Sequence, residues 1–307
     1  MSKAETKPAK VRKKKKPVTD PKKLKASNKR AGRKIGGTIA IFLFLTLLGL
    51  FMVLPIWLMI VNSIKPVNEM FIFPPKWYTL NPTFDNFRDT YRVLGQMWVP
   101  FSRYVFNSAF VTIAVTVLQC VFASMAAFCL AKIKFPGNKL INGIIVLALL
   151  YNSNVIYLMQ YMVMAELNMI NRMSALILPS VASTMGLFLM RQSMSTVPDA
   201  MIEAAKVDGA SLFTICWRIV IPNQKPALMT MAIFAFQGAW NITGGSVVYD
   251  ESLKTLPTVI QQAASAGISR QGVTMAAAVI LFLPPVLFFI MAQSQVMETM
   301  AHSGIKD

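Results

Sequence analysis

Uncharged, mostly apolar stretches alternate along the chain with shorter charged segments. A helix that crosses a bilayer needs about 20 predominantly apolar residues. Six stretches contain no Asp, Glu, Lys or Arg and have about the required length. They are residues 35–64, 104–131, 140–165, 173–190, 226–249 and 271–296. The pattern predicts an all-α integral membrane protein with six transmembrane helices.

The positions of Lys and Arg predict the orientation of these helices, because basic residues concentrate in cytoplasmic loops. With the N-terminus inside, the inner segments hold 23 basic residues and the outer segments hold 8. The inner segments are 1–34, 132–139, 191–225 and 297–307, and the outer segments are 65–103, 166–172 and 250–270. Both termini are therefore predicted to be cytoplasmic.

Composition separates a hydrophobic body from a basic N-terminal tail. Only 14% of the residues are charged, compared with about 25% in soluble domains. Residues 1–34 hold 15 of the 31 Lys and Arg residues and two acids. Such a tail buries too little apolar surface to fold, so we expect disorder. Since it ends where the first apolar stretch begins, attraction to membrane lipids explains it better than binding to nucleic acid.

Cysteine and histidine usage argues against a metal site or a catalytic site. Cys120, Cys129 and Cys216 form no CxxC pair, and we interpret them as buried thiols. His302 is the only histidine and lies five residues from the end. A membrane-embedded enzyme should show clustered carboxylates or histidines, but the acids of the outer segments are scattered. An enzyme is therefore the weaker alternative.

The inner segment 191–225 predicts two short helices. Pro198 suits a first helical turn, and Ser195 or Thr196 is the expected cap. The first helix should continue to Asp208 and stop at Gly209, which can adopt a left-handed conformation.

The second helix of this segment should begin at Ser211 and end at Pro222. Four residues at helical spacing form its predicted apolar face: Phe213, Cys216, Trp217 and Val220. We call residues 198–222 the elbow.

Small and acidic side chains make the elbow a candidate docking surface. Ala204 and Ala205 would allow another surface to approach closely, and Glu203 and Asp208 offer carboxylates to basic groups across an interface. An ordinary loop that lies on lipid headgroups would have the same pattern, and the residues alone leave both interpretations open.

Glu203-Ala204-Ala205, followed by Asp208-Gly209-Ala210 and Pro222, resembles the EAA signature of bacterial ABC importer permeases. Further matches are Asn107-Ser108, Phe135-Pro136-Gly137, Leu187, Met190-Arg191-Gln192, Lys225-Pro226 and Trp240-Asn241. Together they resemble the MalG-like carbohydrate branch over residues 35–300, with 301–307 as a cytoplasmic C-terminal tail. Ile242-Thr243 and the C-terminal residues depart from the family pattern and leave the particular sugar open.

The resemblance implies a type I ABC importer permease fold in a bacterial cell membrane. It implies that the elbow couples to an ATPase through Glu203, Ala204, Ala205, Asp208, Gly209 and Pro222. The implied partners are a second MalF-like permease, a cytoplasmic ABC ATPase dimer and an extracellular solute-binding protein. The sequence has no phosphate-binding glycine loop. We therefore expect no cofactor on this chain, and ATP and Mg on the partner ATPase.

A sugar path needs hydrogen-bonding groups and aromatic faces, whereas ion-coupled carriers place charges inside the membrane. The uncharged stretches favour the first case. The substrate-path candidates are Asn152, Asn154, Gln237, Trp240 and Asn241. Each could instead form hydrogen bonds between helices. A permease for polyamines or amino acids is the main alternative.

Overall fold

The computed structural model describes residues 35–95, 99–150, 153–265 and 271–303. Within these ranges every regular element is helical and there is no strand, so the all-α prediction is confirmed. The chain forms two compact units that divide between Ile56 and Trp57. The predicted N-terminal tail, 1–34, lies outside the described residues.

Thirteen helical segments are present in the described ranges, with one 3₁₀ turn at Glu251–Leu253. They are α1 (Ile35–Ser63), α2 (Val67–Met70), α3 (Asp85–Gly95), α4 (Phe101–Lys132), α5 (Asn138–Ala148), α6 (Ser153–Glu166), α7 (Ser174–Val181), α8 (Thr184–Ser195), α9 (Asp199–Val207), α10 (Leu212–Asn223), α11 (Lys225–Trp240), α12 (Leu256–Ala264) and α13 (Gln271–Ser303).

Four helical stretches in the described residues are long and apolar enough to cross a membrane. They are Gly37–Ser63, Phe101–Lys132, Ser174–Ser195 and Gln271–Ser294. The third consists of α7 and α8, which meet at Ala182 and Ser183. These four agree with the first, second, fourth and sixth predicted stretches, and they make the chain a multi-pass membrane protein.

The other two predicted stretches form shorter helices. Stretch 140–165 is divided between α5 and α6. Stretch 226–249 is helical only as far as Trp240, so its predicted end is wrong. Beyond Asn241 the chain leaves the helix, and the Gly244 amide donates a hydrogen bond of 2.9 Å to Thr258 Oγ1. Sixteen residues of α11 rise about 24 Å.

The first unit, as far as it is described, is the N-terminal part of α1. Its large apolar side chains are exposed, including Phe42, Leu43 and Phe51. A helix that is apolar around its whole circumference suits a lipid environment, because its backbone groups are all paired internally.

In the second unit, α4 packs against both α8 and α11, and α11 packs against α13. At 32 residues, α4 is about 48 Å long and joins two ends of the bundle. Tyr104 and Val111 are buried near its N-terminal end, and Ala127 and Phe128 near its C-terminal end. These two ends of α4 locate the two groups of loops described below.

The cysteines differ from expectation in one detail. Cys129 is exposed on α4, whereas Cys216 is buried. The prediction that the cysteines are buried is therefore wrong for Cys129, which lies on a helix face that the rest of the described chain does not cover.

Candidate functional site

The first half of the elbow is α9, and local sequence rules explain its ends. Pro198 precedes the helix with an extended backbone (φ −62°, ψ 132°), where its missing N–H costs no helical hydrogen bond. Asp199 occupies the first turn, where the helix dipole favours negative charge. Gly209 has φ +79°, so the predicted left-handed turn is confirmed.

The expected cap of α9 is wrong. The Ser195 hydroxyl donates a hydrogen bond of 2.6 Å to the Gln192 carbonyl. The Thr196 hydroxyl donates one of 2.7 Å to the Ser193 carbonyl. Both hydroxyls therefore donate to carbonyl groups in the last turn of α8 and do not cap α9.

The second half of the elbow is α10. Ser211 Oγ accepts a hydrogen bond of 3.2 Å from the Thr214 amide, so the predicted start is confirmed. The middle of the helix is a π-helical turn at Ile215–Val220. Pro222 follows this turn, and the helix ends at Asn223, one residue later than predicted.

The inner face of the elbow packs on the bundle. Ile202 and Ala205 of α9 and Ile215, Cys216 and Val220 of α10 are buried in one apolar cluster. The other buried members are Ala123, Ala127 and Phe128 of α4, Met190 and Met194 of α8, Val197, Ile221 and Met231. Burial raises the pKa of the Cys216 thiol to about 11, so this thiol stays protonated. The elbow and the membrane helices therefore share one core.

The outer face of the elbow is exposed and mixes carboxylates with apolar side chains. Glu203, Ala204 and Asp208 are exposed, and 88% of Val207 is accessible. The remaining exposed apolar side chains of this face are Met201, Leu212 and Phe213. Within the described residues, neither Glu203 nor Asp208 forms a salt bridge. The outer face thus presents two acids, the exposed base Lys206 and an apolar surface to a partner.

Two details of the predicted faces are wrong. Ala204 and Ala205 do not act together, because adjacent residues on a helix point in different directions. Ala204 is exposed, whereas Ala205 is buried against the bundle. Phe213 is 63% exposed and lies on the outer face, with its ring centroid 6.1 Å from that of Trp217.

Two of the five substrate-path candidates line a cavity of about 440 Å³. Gln237 and Asn241 face this cavity from α11 and the residue after it, together with Phe236, Phe282 and Phe289. The Asn241 amide donates a hydrogen bond of 2.8 Å to the Gln237 carbonyl. In the described part of the chain, no ionisable side chain lines this cavity.

Trp240 lies behind this cavity, in the core. It is 6% exposed, and its Nε1 atom donates a hydrogen bond of 3.0 Å to the Leu281 carbonyl. Its ring stacks on Phe236, with centroids 6.3 Å apart. Phe236, and not Trp240, is therefore the aromatic residue of α11 that lines the cavity. Asn152 and the side chain of Asn154 lie outside the described part of the structure.

A second cavity, of about 820 Å³, lies between α6 and the pair α7–α8. Its lining is mostly apolar, with Gln160, Ser183 and Thr184 as polar members. Ser183 Oγ accepts a hydrogen bond of 3.1 Å from the Gly186 amide and so caps α8.

Comparisons with known proteins agree with this arrangement. No protein-family model matches the chain. The solved structure of a bacterial ABC transporter involved in the import of the acidic polysaccharide alginate has the same fold, with a TM-score of 0.71 and 20% identity. The match covers 86% of this chain and 98% of that one.

Curated relatives extend the likeness to the sequence. The chain is 26% identical over 273 residues to the arabinooligosaccharides transport permease AraQ of Halalkalibacterium halodurans, covering 86% of this chain and 94% of AraQ. It is 30% identical over 204 residues to the sn-glycerol-3-phosphate transport permease UgpE of Yersinia enterocolitica, covering 65% of this chain and 73% of UgpE. The chain belongs to the ABC transporter permease family. The resemblance stated from the elbow motif is confirmed.

As an ABC permease, the chain is a transporter subunit and not an enzyme, and ATP hydrolysis belongs to a separate ATPase. Motif reasoning missed one side chain of this permease that meets the elbow. Lys132, the last residue of α4, donates hydrogen bonds to the chain segment that enters α9. No local pattern points to it, because its partners are more than 60 residues away.

Proposed function

We propose that this permease forms half of an import pathway for a neutral sugar or oligosaccharide in a bacterial plasma membrane. Its six predicted stretches would all span the bilayer, with α5–α6 and α11 completing the set. Both termini would be cytoplasmic, as the count of 23 inner against 8 outer basic residues supports. The elbow would then face the cytoplasm, and residues 65–95 would face outward.

The two faces of the elbow carry this proposal. Its inner face shares a core with α4 and α8, so movement of the elbow must displace those helices. Its outer face exposes Glu203, Val207 and Phe213, which can meet a partner with basic and apolar groups. Such a surface suits a cytoplasmic ATPase dimer that holds ATP and Mg. A second permease would complete the pathway, and an extracellular binding protein would deliver the sugar.

The cavity at Gln237 and Asn241 supports a neutral, hydroxyl-rich cargo. Amide groups beside the aromatic rings of Phe236, Phe282 and Phe289 offer hydrogen bonds and apolar faces. A phosphate or polyamine cargo would call for charged partners, which this lining lacks. The names of AraQ and of the alginate transporter also favour a sugar, while UgpE makes a charged glycerol ester the alternative.

The coupling test uses the tagged chain, purified in mild detergent with its stoichiometric partners identified. We expect a second permease and an ATPase, and we expect Glu203→Lys to release the ATPase and to abolish uptake. Glu166→Lys is the matched control, because Glu166 is also exposed but ends α6. Recovery of the chain without any ATPase, even after crosslinking, would contradict the proposal.

The cargo test measures uptake into proteoliposomes that hold the complete complex. Arabino-oligosaccharides, glycerol 3-phosphate and putrescine represent the neutral, anionic and cationic classes. We expect uptake of the neutral class, reduced by Gln237→Ala and unchanged by Gln160→Ala, which lines the other cavity. Exclusive uptake of a charged compound would replace the sugar with the alternative cargo.

A further inference from the structure

Lys132 is buried at the junction between a membrane helix and the elbow. It is the last residue of α4, and its side chain is 6% exposed. Its Nζ atom donates hydrogen bonds of 2.5 Å to the Val197 carbonyl and 2.8 Å to Asp199 Oδ1. The Ser195 carbonyl lies 3.5 Å away. One ammonium group therefore contacts three alternate residues between the end of α8 and the start of α9.

The burial of this lysine restricts its geometry. Lysine is almost never fully buried unless it is paired, because its charge loses solvation. Here the three donors of the ammonium group meet three oxygen atoms, so the charge is compensated only while these oxygens stay in place. The Asp199 carboxylate, by contrast, is not buried, since its side chain is 76% exposed. The hydrogen bond and charge of Lys132 nevertheless hold the pKa of Asp199 below its ordinary value.

No second polar link of this kind joins the membrane helices to α9 in the described residues. The other contacts between α9 and α4 or α8 are apolar, through residues such as Ile202 and Ala205. The side-chain hydrogen bond from Asn223 to the Met201 sulfur, 3.5 Å long, stays within the elbow and its last turn. Apolar contacts have no preferred direction, whereas hydrogen bonds do. Lys132 is thus placed to fix where α9 begins relative to α4.

We propose that Lys132 is a positioning residue that transmits movement of the elbow to α4 and so sets the coupling between ATP hydrolysis and transport. The proposal rests on the importer function argued above. A displacement of α9 would either carry the end of α4 with it or separate the buried Lys132 ammonium group from its oxygen partners. Because the second outcome leaves a buried charge unpaired, the first is favoured.

The test measures ATP hydrolysis and sugar uptake together in proteoliposomes that hold the complete complex. We expect Lys132→Met to retain hydrolysis while the sugar transported per ATP falls at least about fivefold. Lys132→Arg keeps charge and donors and should restore most of that ratio. Lys139→Met is the matched control, since Lys139 is the exposed second residue of α5 and should leave the ratio unchanged.

A second variant keeps the test informative if Lys132→Met fails to fold. Asp199→Lys changes an exposed side chain and places a positive charge beside Lys132, so it should also lower the ratio while the complex assembles normally. Equal losses of hydrolysis and uptake in both variants would mean a merely structural lysine and would overturn the proposal. So would an unchanged ratio in both. If the wild-type complex shows no ATP-dependent uptake at all, the proposed importer function fails instead, and the coupling role of Lys132 fails with it.

Discussion

At the N-terminal end of α4, side-chain amides and hydroxyls add hydrogen bonds to an apolar cluster that includes Tyr104, Leu256 and Val259, whereas the elbow at its C-terminal end is held mostly by apolar side chains. At the first end, Asn107 Nδ2 donates to the carbonyls of Ser252 and Lys254 at 2.8 and 2.9 Å. Ser108 Oγ accepts a hydrogen bond of 2.7 Å from the Leu256 amide. At the second end, the elbow is held by a cluster in which Lys132 is the polar addition.

Side-chain amides also join neighbouring loops near the N-terminal end of α4. Asn171 Oδ1 accepts hydrogen bonds from the amides of Tyr249 and Asp250, at 3.0 and 2.8 Å. Asn86 Nδ2 donates to the carbonyls of Ser63 and Lys65, at 2.9 and 2.8 Å. Each amide therefore joins segments that are distant in sequence.

The difference between the ends concerns how each can move. A hydrogen bond weakens steeply when its angle or length changes, so the loops at the N-terminal end of α4 are fixed in place. An apolar interface loses little when two surfaces shift slightly without separating, because its free energy follows buried area. The elbow can therefore pass a displacement to α4 and α8 while it stays attached to them, which suits the end that a motor would drive.

The largest expected effect comes from removing apolar volume at the elbow. Ile215 is fully buried, and Ile215→Ala should lower the free energy of unfolding by about 2–5 kcal/mol, since it leaves a cavity in the shared core. Thermal unfolding of the purified chain measures the change. Phe213→Ala is the control, because Phe213 is 63% exposed two residues away and should barely alter unfolding. Equal losses in both variants would show that the elbow has no inner face.

The next largest expected effect concerns the hydrogen bonds at the N-terminal end of α4. Asn107→Leu removes the amide that donates to the half-buried Ser252 and the buried Lys254 carbonyls, and it should cost about 1–3 kcal/mol. It should also make residues 241–255 more sensitive to proteolysis, because Asn107 is one of the side chains that anchor that loop. Asn68→Leu, at an exposed position of α2, is the matched control. An unchanged digestion pattern would mean that apolar contacts hold both ends.

Sequence reasoning located features that local chemistry determines. The turn at Gly209 and the start of α10 at Ser211 depend on backbone conformation and capping within a few residues. It could not locate contacts between distant segments. Asn107 and Lys254 are 147 residues apart, and Lys132 and Val197 are 65 apart, and no spacing along the chain relates them.

The cavity lined by Gln237 shows the same limit of sequence reasoning. Gln237 and Trp240 are both plausible substrate-path residues by type, and only packing separates them. Gln237 faces the cavity, while Trp240 is 6% exposed and bonds to Leu281. Their helical spacing of three residues predicts one shared face. The size of the indole group and its bond to α13 place it in the core instead.

A smaller effect tests the turn of the elbow. Gly209→Ala should destabilise the chain by about 1 kcal/mol, because a Cβ at φ +79° is strained even though no atom lies within 4 Å. Gly143→Ala is the control, and its expected effect on stability is not a loss. Gly143 lies inside α5 with open space and no positive φ, so alanine there should be neutral or stabilising. Thermal unfolding of both variants and of the wild type measures the two changes in stability. A loss of stability at both positions would contradict the explanation from the positive φ of Gly209.

The smallest expected effect is on the pH dependence of stability, through the carboxylate of Glu69. Glu69 accepts hydrogen bonds from the Thr79 hydroxyl, the Leu80 amide and the Asn81 side chain. These bonds, that of Thr79 first, lower the pKa of Glu69 below its ordinary value of 4.5. A lowered pKa means that the ionised carboxylate stabilises the folded chain above pH 4.5, and that this stability is lost as the pH falls through the folded pKa. Thr79→Val removes the largest contribution, so the drop in melting temperature between pH 7 and pH 4 should be smaller than in the wild type. An identical drop in both proteins would assign the acid sensitivity to other carboxylates, such as Asp199 at the elbow, whose pKa is also lowered.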